Sequence, residues 1–325
     1  MQTIGIIGAG AWGTALATVA ARAGRGVLLC AQSVATAAHI NQHHENRNRL
    51  PGIRLDSRVI ATADIAATAG SGIVILAVPA QNVRAVMERI HDDILAGTPI
   101  VIAAKGLERE TNKRLSQVVA EIRDDAIPAV LSGPSFAADV ARGMPTAVTV
   151  AAADAELALA LCHALGSATF RPYAETDLVG VEIGGAVKNV LAIAAGIVAG
   201  RGLGASALAA LVARSFAELR RLGDVLGARP DTLMGLSGLG DLVLTCSGPQ
   251  SRNFSYGLSI GQGAPASTHP LAEGIATAPV ARDLARHRGV LMPIVEAVAA
   301  ILEGNLTVDA AIEGLMTRPL RHEAE

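Results

Sequence analysis

Lysine is almost missing from this chain. Of 27 basic residues only Lys105, Lys113 and Lys188 are lysine, and arginine supplies the rest. Arginine stays charged, whereas a lysine ammonium can be tuned to release and regain a proton. The rare lysines are therefore candidates for chemistry, against the plain alternative of chance survivors in an arginine-biased composition. Lys113 lies in the polar stretch Glu110-Thr111-Asn112-Lys113-Arg114 and reads as solvated surface.

Aromatic residues make up only 2% of the chain. That scarcity excludes a core built on large rings and predicts small aliphatic cores with closely approaching helices. The formal charge of -2 and the lack of a basic stripe interleaved with aromatics give no case for nucleic acid. The three cysteines, Cys30, Cys162 and Cys246, form no paired motif. Their odd number argues against a disulfide framework and fits a reduced, cytoplasmic compartment. No metal site is expected. His39, His43 and His44 approach helical spacing, but in a polar segment that reads as an exposed helix end. The uncharged run from Ile4 to Ala21 is long enough to suggest a membrane or signal helix. No basic residue precedes it, however, and Gly5, Gly8, Gly10 and Gly13 interrupt it. A protein without membrane insertion or targeting segment is expected.

A length of 325 residues with 51% hydrophobic content fits two domains. Strands are predicted at Thr3–Ile7, Val27–Cys30, Ile73–Ala77, Ile100–Ala103 and Ala129–Leu131. Helices from Ala11, Val34, Asn82 and Lys113 fall between them. This alternation predicts a Rossmann-like, doubly wound parallel sheet, with added strands at Val148–Val150 and Thr169–Arg171. Beyond about residue 177 long small-residue helices take over, for example Val187–Ala199, Ala205–Leu222, Val280–Arg288 and Met292–Glu303. The expected division is 1–175, dinucleotide-binding, and 176–325, helical and catalytic.

Gly8-Ala9-Gly10-Ala11-Trp12-Gly13 sits between the first strand and helix, where such a loop lets backbone approach a pyrophosphate at a helix N-terminus. At position 33, where an acid usually meets the ribose 2′-hydroxyl, stands Ser33, so NADP is tolerated beside NAD. Arg47, Arg49 or Arg54 can reach toward a 2′-phosphate or remain surface charges. Lys105 and Ser132-Gly133-Pro134-Ser135-Phe136-Ala137 follow later strands into the same crevice, although the latter is equally a plain Gly-Pro turn. Lys188 lies in an apolar helix, where it is either desolvated toward neutral-pH proton transfer or snorkels to the surface. Asp241, in Gly238-Leu239-Gly240-Asp241-Leu242, either pairs with Lys188 or caps the next helix. Ser251-Arg252-Asn253 offers a guanidinium fork and an amide to a phosphate.

In this order the segments resemble the bacterial-type NAD(P)-dependent glycerol-3-phosphate dehydrogenases. The carrying stretches are Gly8–Leu16, Ala104–Glu108, Ser132–Ala137, Gly184-Gly185-Ala186-Val187-Lys188-Asn189-Val190, Gly238–Leu242 with Thr245, and Gln250–Asn253. The resemblance implies interconversion of dihydroxyacetone phosphate and sn-glycerol 3-phosphate, for membrane phospholipid, by a homodimer. It implies Lys188 as proton donor and acceptor, with Asp241 and Lys105 beside it. It implies substrate contacts at Lys105, Gly133, Ser135, Lys188, Asp241, Ser251, Arg252 and Asn253. Cofactor contacts are implied at Gly8, Gly10, Ala11, Trp12, Gly13, Gln32, Lys105, Ala137, Arg252, Leu271 and Glu273. Two departures bear on cofactor preference: Gln32 stands where His or Arg is frequent, and Ile275-Ala276 replaces an aromatic-basic pair. The alternatives are another two-domain β-hydroxyacid dehydrogenase and a nicotinamide-binding redox sensor without turnover.

Overall fold

A computed structural model of the chain describes residues 3–265, 272–320 and 322. Eight strands form one sheet: β1 Ile4–Ile7, β2 Val27–Cys30, β3 Val59–Thr62, β4 Ile73–Leu76, β5 Pro99–Ile102, β6 Ile127–Ser132, β7 Thr146–Ala152 and β8 Phe170–Glu175. Their order is β3-β2-β1-β4-β5-β6-β7-β8. The strands from β1 to β6 run parallel, as the alternation predicts. β7 joins β6 antiparallel, and β8 follows β7 in parallel. The last two strands are therefore an appended pair running against the others.

Helices α1 Ala11–Arg22, α2 Val34–His43, α3 Ile65–Ala69, α4 Val83–Ile90, α5 Leu115–Ile122, α6 Ala137–Arg142 and α7 Ala155–Leu165 cover the sheet. Side chains alternate between the faces of each strand. Ile4, Ile6, Ile73, Ile75 and Val101 join the core that includes Leu16 and Val19 of α1. Ile7, Val74, Leu76, Ile100 and Ile102 join the opposite core, with Met87 of α4 and Val119 of α5. Burial on both faces explains why these strands read as unbroken apolar runs.

The second half is helical: α8 Leu178–Gly200, α9 Ala205–Val225, α10 Pro230–Met234, α11 Asp241–Cys246, α12 Arg252–Gly261, α13 Glu273–His287, α14 Pro293–Leu302 and α15 Val308–Met316. α8 is the axis of this half and is buried along most of its length. It is the one helix among the described residues long and apolar enough to cross a membrane, and 83% of its apolar window is buried within the protein. The uncharged run Ile4–Ala21 is instead β1 and α1.

The scarcity of aromatics has a visible consequence here. A Cβ on Gly196 would collide with the Phe254 carbonyl, and one on Gly257 with the Ile193 carbonyl. The backbones of α8 and α12 meet through these glycines, the close approach that small-residue spacing permits. Residues Leu236–Gly240 form a π-helical turn leading into α11. Gly184 of α8 gives it room, since a Cβ there would come within 2.7 Å of the Ser237 carbonyl. Such turns recur at functional sites, and this one delivers Asp241.

Candidate active site

The three loop glycines fit a dinucleotide, each for a different physical reason. Gly8 has φ of +113°, and a Cβ on it would lie 2.7 Å from the Ala77 carbonyl, just past the end of β4. A Cβ on Gly13 would collide with the Gly8 carbonyl, so α1 packs close to the turn. Gly10, in contrast, has nothing within 4 Å of its missing Cβ: the space over the α1 N-terminus is open, as an approaching pyrophosphate requires. Ala11 and Trp12 begin α1, and Ala137 begins α6. Gln32 is exposed beyond the end of β2. Ser33 is the N-cap of α2, its hydroxyl accepting from the Thr36 amide at 3.2 Å. Of the arginines considered for a 2′-phosphate, Arg47 is engaged by Glu45 at 3.0 Å.

Lys105 and Gly133 follow β5 and β6 at the same carboxyl edge of the sheet as Gly8. There the helical half closes on them. Lys188 is 6% exposed and Asp241 1%. The Lys188 ammonium donates to Asp241 Oδ1 at 2.6 Å and to Thr245 Oγ1 at 2.8 Å. The Lys105 ammonium donates to Asp241 Oδ2 at 2.7 Å and to the Gly133 carbonyl at 2.9 Å. Ser135 also donates to that carbonyl, at 2.9 Å. Snorkelling of Lys188 and helix capping by Asp241 are thereby decided against. α11 has no side-chain cap, and the aspartate bridges two lysines instead.

Burial lowers the Lys188 pKa to about 8, with Asp241 opposing the shift and the Lys105 charge assisting it. Burial alone would push the Asp241 carboxyl up, but the two ammonium groups outweigh it and hold the group ionised. Two cations around one anion leave the pocket net positive, a setting that favours a phosphate and a developing alkoxide.

α12 supplies the remaining side. Ser251 caps it, accepting from the Phe254 amide at 3.3 Å, and Arg252 follows, exposed. The Asn253 amide donates to Asn189 Oδ1 at 2.9 Å and accepts from the Gly274 amide at 3.0 Å. Asn189 in turn donates to the Lys105 carbonyl at 3.1 Å. Burial raises the pKa of Glu273, while Arg252, Lys105 and Lys188 pull it back, so this carboxyl belongs to the same charged neighbourhood. Leu271 lies outside the described residues. Gln32 lies apart from this cluster, at the end of β2.

Two residues acquire contacts that the sequence reading gave them no role for: Thr245 and Asn189. The signal was available for Thr245, which lies four residues after Asp241 on one helix and so shares its face. Asn189 adjoins Lys188, but nothing local shows that its amide reaches across to the Lys105 loop.

A sequence-family model described as NAD-dependent glycerol-3-phosphate dehydrogenase N-terminus matches residues 3–158, and its C-terminus counterpart matches 177–313. The chain belongs to the NAD-dependent glycerol-3-phosphate dehydrogenase family. It is 62% identical over 322 residues to a glycerol-3-phosphate dehydrogenase (NAD(P)+) of Bradyrhizobium sp. strain BTAi1, covering 99% of this chain and 98% of that one. A second relative with the same description, from Bradyrhizobium sp. strain ORS 278, is 59% identical with the same coverage. The crystal structure of glycerol-3-phosphate dehydrogenase from Coxiella burnetii superposes with a TM-score of 0.92 at 36% identity, covering 98% of this chain and 99% of that one. Membership of this family decides against the β-hydroxyacid dehydrogenase and sensor alternatives.

Proposed function

We propose that this protein interconverts dihydroxyacetone phosphate and sn-glycerol 3-phosphate with NADH or NADPH, in the cytoplasm and as a homodimer, supplying glycerol phosphate for phospholipid synthesis. The observation that carries the reading is the buried Lys188–Asp241–Lys105 bridge at the carboxyl edge of the sheet. A relative at 62% identity, named for this activity, supports it. The division into 1–175 and 176–325 is part of the proposal; the change from sheet to all-helical packing after β8 supports it.

A reduced nicotinamide held here would supply the hydride. Gly8, Gly10, Ala11, Trp12 and Gly13 would hold its pyrophosphate side, and Gln32, Ala137, Lys105, Arg252 and Glu273, with Leu271 by the family resemblance, would be its further contacts. Lys188 donates a proton to the substrate C2 oxygen as the carbonyl becomes an alkoxide, and withdraws it in the reverse direction. Asp241 fixes the ammonium through Oδ1, and Thr245 narrows its direction. Lys105, held by Asp241 and the Gly133 carbonyl, stabilises the negative charge on the same oxygen. Gly133 and Ser135 line the substrate pocket, while Ser251, Arg252 and Asn253 grip the phosphate. Positioning of this kind contributes several kcal/mol to lowering the barrier.

The deciding assay is dihydroxyacetone-phosphate-dependent oxidation of NADPH beside NADH at matched concentration. Turnover with either is expected, and the ratio reads the effect of Ser33 and Gln32 on cofactor choice. Tight cofactor binding without turnover on this substrate would overturn the reading.

A further inference from the structure

Asn46 is 2% exposed although the sequence around it, His43-His44-Glu45-Asn46-Arg47-Asn48-Arg49, is polar throughout. Its side chain explains the burial. The carboxamide Nδ2 donates to the Ala9 carbonyl at 3.0 Å and to Thr14 Oγ1 at 2.8 Å. One acceptor is in the Gly-rich loop and one just after it: Ala9 lies between Gly8 and Gly10, and Thr14 is fully buried in the first turn of α1.

The segment that delivers Asn46 is itself braced. His44 adopts the left-handed conformation that ends α2 and turns the chain back. The Asn46 carbonyl accepts from the Leu50 amide at 2.8 Å, and Glu45 Oε1 accepts from the Gly52 amide at 2.9 Å. The side chain is thus presented from a fixed base, not from a loose loop.

The physical need is specific. The peptide that carries the Ala9 carbonyl ends on Gly10, whose φ has little steric restriction, so that peptide has little bias against rotating. Rotated, the Ala9 carbonyl would turn a negative dipole toward the space over the α1 N-terminus, where a pyrophosphate must sit. An amide N–H on that carbonyl holds it away, and the second bond ties the turn to α1. Holding a loop in its bound conformation beforehand removes part of the ordering cost of binding.

We propose that Asn46 is a positioning residue of the cofactor site: it pre-sets the Gly8–Gly13 loop through the Ala9 carbonyl and Thr14, without touching the cofactor. The proposal rests on the nicotinamide-dependent reading above. Aspartate would not serve at this position, because a carboxylate offers no donor to Ala9 and adds negative charge beside the phosphate path.

The test uses the full-length protein, with binding read without substrate. Trp12 is the only tryptophan and stands in the loop, so quenching of its fluorescence by NADH or NADPH reports the cofactor Kd. Asn46→Ala is expected to weaken that Kd roughly tenfold, about 1.4 kcal/mol, and Asn46→Asp more. At saturating cofactor, kcat should stay within about twofold. Amides of residues 10–14 should exchange hydrogen faster in the cofactor-free variant while those of β4 do not, a readout independent of turnover. Thr14→Val, which deletes one acceptor and keeps the Ala9 bond, should fall between, and it carries the test if Asn46→Ala fails to fold. An unchanged Kd in the folded variant overturns the proposal. So does a fall in melting temperature and kcat together without selective loss of cofactor affinity. Failure of the dehydrogenase reading would show separately, as cofactor binding without turnover of dihydroxyacetone phosphate.

Discussion

Burial costs the Lys188 ammonium its hydration, and Asp241 returns only part of that cost, so the proton leaves at about 8. The sign of the pH dependence follows from the direction of reaction. Reduction needs the ammonium form, so kcat/KM for dihydroxyacetone phosphate should be level below about 8 and fall above it. Oxidation needs the neutral amine and should rise through the same limb. Asp241→Asn removes the carboxylate that raises the lysine pKa and should move that limb to lower pH. An unmoved limb would show that Lys188 is not the titrating group. Lys188→Arg keeps a charge that cannot be given up, and should cost about 10²–10⁴ in turnover with cofactor binding retained. At this scale the sequence was informative, since rare lysines in Gly-rich motifs pointed to Lys105 and Lys188. What it left open was the geometry. Lys105 and Asp241 are 136 positions apart, and no local pattern reports that one aspartate spans both lysines.

Among the elements, the α8–α12 contact depends most on what its residues lack. Gly196 and Gly257 have no Cβ where the opposing carbonyls stand, and both helices carry site residues: Lys188 and Asn189 on one, Arg252 and Asn253 on the other. Gly257→Ala should force the helices apart, lowering stability by about 1–3 kcal/mol as overpacking does. It should also raise the KM for dihydroxyacetone phosphate, because Asn253 lies one turn away. Urea unfolding and steady-state kinetics would check both, and unchanged values would mean that the helices can slide without cost. Periodicity located most elements, but not all, for identifiable reasons. β3 carries no strand signal because it is a four-residue edge strand with Ile60 54% exposed, so it lacks the apolar run of its neighbours. α8 begins at Leu178, before the predicted Val187, because its first turns carry Asp177 as cap and Glu182 as an internal partner. The antiparallel sense of β7 is a tertiary pairing that strand composition does not encode.

For the whole molecule, the question is how the sheet half and the helical half are held so that residues from each meet within a hydrogen-bond length. The Lys105–Asp241 pair is one connection; another is remote from the chemistry. Glu182 of α8 accepts from the Ser116 amide at 2.8 Å and its hydroxyl at 2.5 Å, and from Arg114 at 2.9 Å. It thereby ties α8 to the start of α5 beneath the sheet. The Glu182 side chain is 5% exposed and that of Arg114 22%. Removing the carboxylate strands a buried amide and a guanidinium that water reaches only in part. Glu182→Ala should therefore lower unfolding stability by about 3 kcal/mol, the lower end for a broken buried pair, because Arg114 regains some hydration. The loss should appear as a lower urea midpoint. If this clamp also couples the two halves, the variant should unfold in two transitions where the wild type unfolds in one. Lys188 lies six positions, fewer than two turns of α8, after Glu182, so loosening the clamp should also reduce turnover more than cofactor binding. A variant with wild-type midpoint and turnover would show that the bridge at the active site suffices to hold the halves in register.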